Sequence, residues 1–154
     1  MDRPAGVMTA TPYDEFEIGS TLQDSTTIDE ADIAAAAELF GDYNPIHVDQ
    51  EVAEKSIYGK RILHGPCVCG LMMATVGNAI AGTGIGELDL STQFKGASFP
   101  GDTLTWTWTV TEKSDKPKYD GGIVTLDGVC RNQDDVVVVT AKTLVLVGNR
   151  LAGE

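Results

Sequence analysis

Residues 41–73 read GDYNPIHVDQEVAEKSIYGKRILHGPCVCGLMM. Both histidines of the chain, His47 and His64, lie in this stretch. It opens on a tight polar run, Gly41-Asp42-Tyr43-Asn44-Pro45, with Ile46-His47 directly after it. Asn44-Pro45 is a turn signal, and a residue before proline is pushed out of helical geometry. The expectation is that His47 emerges from a constrained turn and not from a regular helix. The stretch closes on His64-Gly65-Pro66. Proline is a good first residue of a helix, because its missing N–H costs nothing there. From Pro66 to Ile80 the residues are apolar or small nearly all round, which predicts a buried helix. A carboxylate, an imidazole and a glycine-fronted helix N-terminus are the parts needed for acid–base chemistry beside a developing oxyanion. Taken singly, each residue also has a plainer reading. Asp42 suits a turn, His47 a half-buried structural histidine, and His64 a hydrogen-bonded helix start.

N-terminal to this stretch, residues 1–12 are small and polar with two prolines and read as loosely ordered. Thr21 to Ile28 reads as extended. Asp29, with Asp32 three residues on, is a cap signal for a short amphipathic helix over Ile33 to Phe40 that ends at Gly41. Beyond Pro45, Asp49 can cap a second short helix, Gln50 to Ile57, and Tyr58 to Arg61 reads as a loop. C-terminal to the buried helix the character changes at Gly82-Thr83-Gly84. Leu88 to Phe94, Thr103 to Glu112, Gly122 to Arg131 and Val136 to Val147 read as strands rich in β-branched and aromatic residues. Thr103 to Val110 alternates strictly, so one face packs. Trp106 and Trp108 read as strand packing or dimer surface. Asp134-Asp135 reads as a hairpin turn, and Lys113 to Asp120 as a longer charged connection. A central buried helix followed by antiparallel strands implies an α+β fold with the sheet curled round the helix.

The length of 154 residues fits one domain, spanning 1–154. The formal net charge of −12 argues against nucleic acid and against an anionic membrane surface. Lys60, Arg61 and Lys95 can still act locally on a small anionic ligand. Three cysteines, Cys67, Cys69 and Cys130, make no disulfide framework and no metal-ligand spacing, and read as core thiols. The N-terminal residues lack the apolar core of a signal peptide, and no apolar run is long enough to span a bilayer. The expected compartment is the cytoplasm.

GDYNPIHVD followed by HGPCVCGLMMA resembles the (R)-specific enoyl-CoA hydratase motif of the MaoC-like dehydratase family. Phe94 to Asp102 resembles the strand–turn of that family ending in Gly-Asp. The resemblance runs from about residue 20 to 147 and implies a hot-dog fold. It implies that Asp42 and His47 are the catalytic pair, that the Gly65 N–H forms the oxyanion hole, and that Asn44 supports the catalytic loop. It implies hydration of a trans-2-enoyl thioester, or the reverse dehydration, with no metal and no other cofactor. The partner is then an acyl-CoA or acyl-carrier thioester, and the assembly a homodimer or higher homo-oligomer. The chain departs from the family pattern at Met73, where several members carry a serine; Thr75 is the nearby hydroxyl. Two alternatives remain: a hot-dog acyl-CoA thioesterase, and a non-catalytic acyl-binding partner subunit of a hetero-oligomeric dehydratase.

Overall fold

A computed structural model describes residues 6–153. Five strands form one antiparallel sheet: β1 (Thr21–Thr27), β2 (Gly84–Phe94), β3 (Thr103–Lys116), β4 (Gly121–Arg131) and β5 (Val137–Gly148). Their order across the sheet is β1-β3-β4-β5-β2, which leaves β1 and β2 at the edges. Between β1 and β2 the chain forms α1 (Glu30–Phe40), the single turns α2 (Pro45–Val48) and α3 (Gln50–Glu54), and the long α4 (Gly65–Ala79). This α+β arrangement, a sheet wrapped on one helix, is the hot-dog fold.

The expected cap is present. Asp29 and Asp32 form a reciprocal capping box, and α1 ends at Gly41 in the left-handed region with φ of 67°. Two element bounds differ from the sequence reading. The helix over residues 50–57 stops at Glu54, and the first half of the connection over 113–120 is strand, followed by a 3-10 turn over Pro117–Tyr119. Lys113 to Lys116 continue β3 after a bulge between Val110 and Glu112, and pair with Val124 to Gly121. The bulge interrupts the inward–outward alternation while the ladder continues; beyond it Lys113 donates to the Phe16 carbonyl at 2.8 Å and Asp115 accepts from the Tyr13 hydroxyl at 2.7 Å. Of the segment expected to be loosely ordered, residues 1–5 lie outside the described residues. The N–H groups of Thr9 and Thr11 donate to the Asn78 and Ala79 carbonyls at the end of α4, both at 2.9 Å.

α4 buries one stripe, Val68, Met72, Val76 and Ala79, and exposes Pro66, Gly70, Ala74 and Gly77. It is therefore covered on one side and not all round as its composition suggested. The stripe meets Leu104, Trp106, Trp108 and Val110, the inward face of β3. The two tryptophans thus belong to the core of the chain itself and form no dimer surface. Each indole N–H finds a partner on α4, Trp106 Nε1 on Thr75 Oγ1 and Trp108 Nε1 on the Met72 carbonyl, both at 2.8 Å. Cys130 is fully buried here, and burial first, then Cys69, pushes its thiol up to about 12.

Trp108 stands directly opposite Gly128 on β4. A Cβ on Gly128 would lie 2.6 Å from the indole ring and 3.0 Å from Met72 Cε. Glycine in this strand marks the close approach of the indole, not a turn. Gly128→Ala is expected to destabilise the fold by about 1–3 kcal/mol, the usual range for overpacking a filled core. Urea unfolding measures it, and a change within about 0.5 kcal/mol, typical of surface sites, would contradict this packing.

Candidate active site

Asp42, Asn44 and His47 are held by three local devices. Gly41 turns the chain out of α1 in the left-handed region that glycine adopts freely. The Asn44 backbone N–H then donates to Asp42 Oδ1 at 3.1 Å, which orients the carboxylate. The Asn44 side chain accepts the Ile46 N–H at 3.3 Å and so caps α2, with Pro45 as its first residue. His47 therefore sits on one turn of helix, not on a bare turn as expected. The Asn-Pro pair starts the helix because Asn44 itself is the non-helical cap.

The His47 ring is fixed at one nitrogen. Nδ1 lies 2.8 Å from the Ile62 carbonyl, and a carbonyl only accepts, so Nδ1 carries the proton. In the neutral ring Nε2 then presents a lone pair, 3.9 Å from Asp42 Oδ2. That separation exceeds a direct hydrogen bond. It suits two groups that reach one oxygen between them. His47 is shielded and Asp42 open, with side chains 12% and 51% exposed.

His64 precedes α4 and is fully buried. Its ring stacks on His47 with centroids 3.8 Å apart and planes at 22°. Its Nε2 lies 2.8 Å from the Asp42 backbone carbonyl. Past it, the first turn of α4 has few free donors. Pro66 has none, and the Cys67 N–H donates to the His64 carbonyl at 3.0 Å. The Gly65 N–H is left at the positive end of a 15-residue helix.

These groups share one cavity of about 510 Å³, lined by Asp42, His47, His64 and Gly65 together with Tyr58, Phe94, Lys95 and Ser98. The sequence reading named Asp42, His47, Gly65 and Asn44; the structure brings the first three to the cavity wall and puts Asn44 behind them as the cap. The sequence reading had Tyr58 only as a loop residue, and Phe94 and Ser98 only within the strand–turn, none of them as site residues. A Cβ on Gly65 would come within 2.7 Å of the Phe94 ring, which is why residue 65 has no side chain. Of the three cations expected near the site, Arg61 is held by Glu30 and Gln50, and Lys60 lies over the Phe99 ring at 4.3 Å. Lys95 lines the cavity. Thr75 and Met73 do not reach it. The Thr75 hydroxyl takes the Trp106 N–H in a separate cavity beside β1, and Met73 lines another toward Ile80 and Val145.

One ligating atom each from Asp42, His47 and His64 lies within 4.8 Å of the others. Stacked imidazoles, however, direct their ring-plane lone pairs side by side and not at one point. The proton on His64 Nε2, which the Asp42 carbonyl requires, also occupies that lone pair. The donor set suits proton transfer better than metal binding. Asn44→Ala should release the Ile46 N–H, a loss of about 1 kcal/mol of capping. Amide exchange at Ile46 should then quicken roughly fivefold; unchanged exchange would deny the cap.

Fold and site together define a hot-dog chain with a carboxylate and an imidazole side by side near a helix N-terminus. The family model of the MaoC like domain matches residues 15–128, so the chain belongs to the MaoC-like domain family. It is 31% identical over 134 residues to an (R)-specific enoyl-CoA hydratase of Rhodospirillum rubrum, covering 87% of this chain and 90% of that one. An enzyme of the same name from Aeromonas caviae is 32% identical, covering 84% and 94%. Among solved structures, an unliganded R-hydratase from Pseudomonas aeruginosa superposes with a TM-score of 0.81 at 27% identity, covering 94% of this chain and 89% of that one.

Proposed function

We propose that this chain is an (R)-specific enoyl-CoA hydratase, equally a 3-hydroxyacyl-CoA dehydratase, acting on a trans-2-enoyl thioester. The observation that carries the reading is the pair Asp42 Oδ2 and His47 Nε2, 3.9 Å apart on one cavity wall with Gly65. The names of the relatives point the same way. A water held between the pair loses a proton to His47 Nε2 while Asp42 accepts its other hydrogen. The water oxygen bonds to C3, and the double-bond electrons move onto the thioester oxygen. The Gly65 N–H, at the positive helix end, stabilises that oxyanion. The electrons return as C2 takes up the proton that His47 Nε2 received, so His47 is neutral again, one water is added and nothing is left over. No metal and no other cofactor takes part. Cys67, Cys69 and Cys130 are in no disulfide, which suits a reducing compartment, and we take the cytoplasm as the site of action.

A thioesterase would use the same helix end but release a thiol. Purified protein with crotonyl-CoA separates the two: loss of enoyl absorbance without free thiol is expected. Asp42→Asn and His47→Gln should each lower kcat by about 10²-fold or more, the range of acid–base residues. The double variant should match the worse single one, because residues acting as a unit are not additive. Single variants that keep wild-type kcat would overturn the assignment, and thiol release would favour the thioesterase.

We also infer a homodimer. Among the described residues β2 is an edge strand whose outward side carries Ile85, Leu88, Leu90 and Phe94, 38–56% exposed. Such an edge needs covering. A second β2 would pair it. Light scattering at micromolar concentration should give twice the 16.3 kDa chain mass, and a monomer would refute the pairing.

A further inference from the structure

We infer that His64 is a positioning residue for the reaction, one that acts through Asp42 and His47 and never touches substrate chemistry itself. The inference rests on the catalytic reading of that pair.

Three observations carry it. His64 is 1% exposed, so it is no surface residue, and its buried ring must justify a polar edge. Its Nε2–H donates to the Asp42 carbonyl at 2.8 Å, which ties the loop to the residue just before α4. Its face lies on the His47 ring at 3.8 Å between centroids, with Phe40 tilted against it from α1 at 6.1 Å. The Ile62 carbonyl holds His47 at Nδ1 only, which leaves rotation about that hydrogen bond. The His64 face blocks that rotation on one side. One side chain thus sets the height of Asp42 through a donor and the plane of His47 through a flat wall. It also couples both to Gly65, its covalent neighbour and the candidate oxyanion donor.

The two jobs need two features in one residue, a flat ring and an edge N–H. Phenylalanine keeps the ring and loses the donor; glutamine keeps an amide donor at about the same reach and loses the ring. Nδ1 of His64 has no hydrogen-bond partner in the structure, so neither replacement removes a bond there. A misplacement of the order of 1 Å at a reacting group can cost about 10²-fold in rate. Either variant is therefore expected to lower kcat by about 10-fold or more, with KM within about threefold, since no substrate contact is removed.

The test is a mutant cycle on enoyl-CoA hydration, with His64→Phe and His64→Gln each made alone and combined with His47→Gln. Rates are taken per folded molecule, below the onset of unfolding of each variant. If His64 acts through His47, its replacement lowers kcat in the native background and changes it less than about twofold when His47 is already glutamine. An equal loss in both backgrounds would mean a general structural role and overturn the inference. Full activity of both His64 variants, while His47→Gln alone is inactive, would overturn it too and leave the catalytic pair standing. If His47→Gln alone keeps wild-type kcat, the reading of the site fails, and the inference with it. Where one His64 variant does not fold, the other completes the cycle.

Discussion

Everything at the site depends on where α4 lies on the sheet. Two indole N–H groups settle that. Trp106 and Trp108 sit two apart on β3, on the same face, and bond to Thr75 and Met72, three apart on α4. Residues three apart share a helix face, and residues two apart share a strand face. The two bonds therefore fix both the rotation of α4 and its position along its own axis. Gly128 makes this possible by giving the Trp108 ring room to lie flat against β4. A helix pinned this way has a defined N-terminus, and the Gly65 N–H is a point in space and not a range of points.

Asp42 and His47 come from the segment between β1 and that N-terminus. α1 packs Ile33, Ala36 and Ala37 into the interior, but the segment after it buries little: no residue of α2 is buried, and Ala53 is the buried residue of α3. Such a segment does not place a carboxylate by its own packing. It is tied down instead by polar bonds to its surroundings: Asp42 by the Asn44 N–H and by His64, His47 by the Ile62 carbonyl, Gln50 and Glu30 by Arg61. Every one of these ties except the first ends on residues 61–64, the run that leads into α4. The loop and the helix are thus one unit, and the cavity opens at their junction.

How much of this was legible in sequence follows from how local each signal is. The α1 capping box and the proline start of α4 needed only neighbouring residues, and both were readable. Alternation along Thr103 to Val110 predicted the packed face correctly, but not what packs on it. Whether a tryptophan face meets a helix or a second subunit depends on a strand 20 residues away and on Gly128. The bulge after Val110 hid the last turn of alternation, so charged Lys113 to Lys116 read as a loop although their backbones stay in the ladder. That Asp42, His47 and Gly65 belong together was legible through the family resemblance and the spacing of the motif, and the three do line one cavity. The stack of His47 on His64, 17 positions apart, was not, because no local pattern brings two loop histidines face to face.

The departure at Met73 has a physical reading in this structure. Position 73 lines a separate cavity toward Ile80 and Val145, out of reach of the Asp42 carboxylate, and this chain holds that carboxylate from within its own loop. The Asn44 N–H accepts no substitute by side-chain mutation, because it is backbone, and it is already in bonding distance of Oδ1 at 3.1 Å. The backbone carbonyl of Asp42 accepts from His64 Nε2 at 2.8 Å. Both ends of Asp42 are thus fixed without residue 73, which packs as an apolar residue against the core. Oδ2 is then the oxygen left over, and it is the one that faces His47.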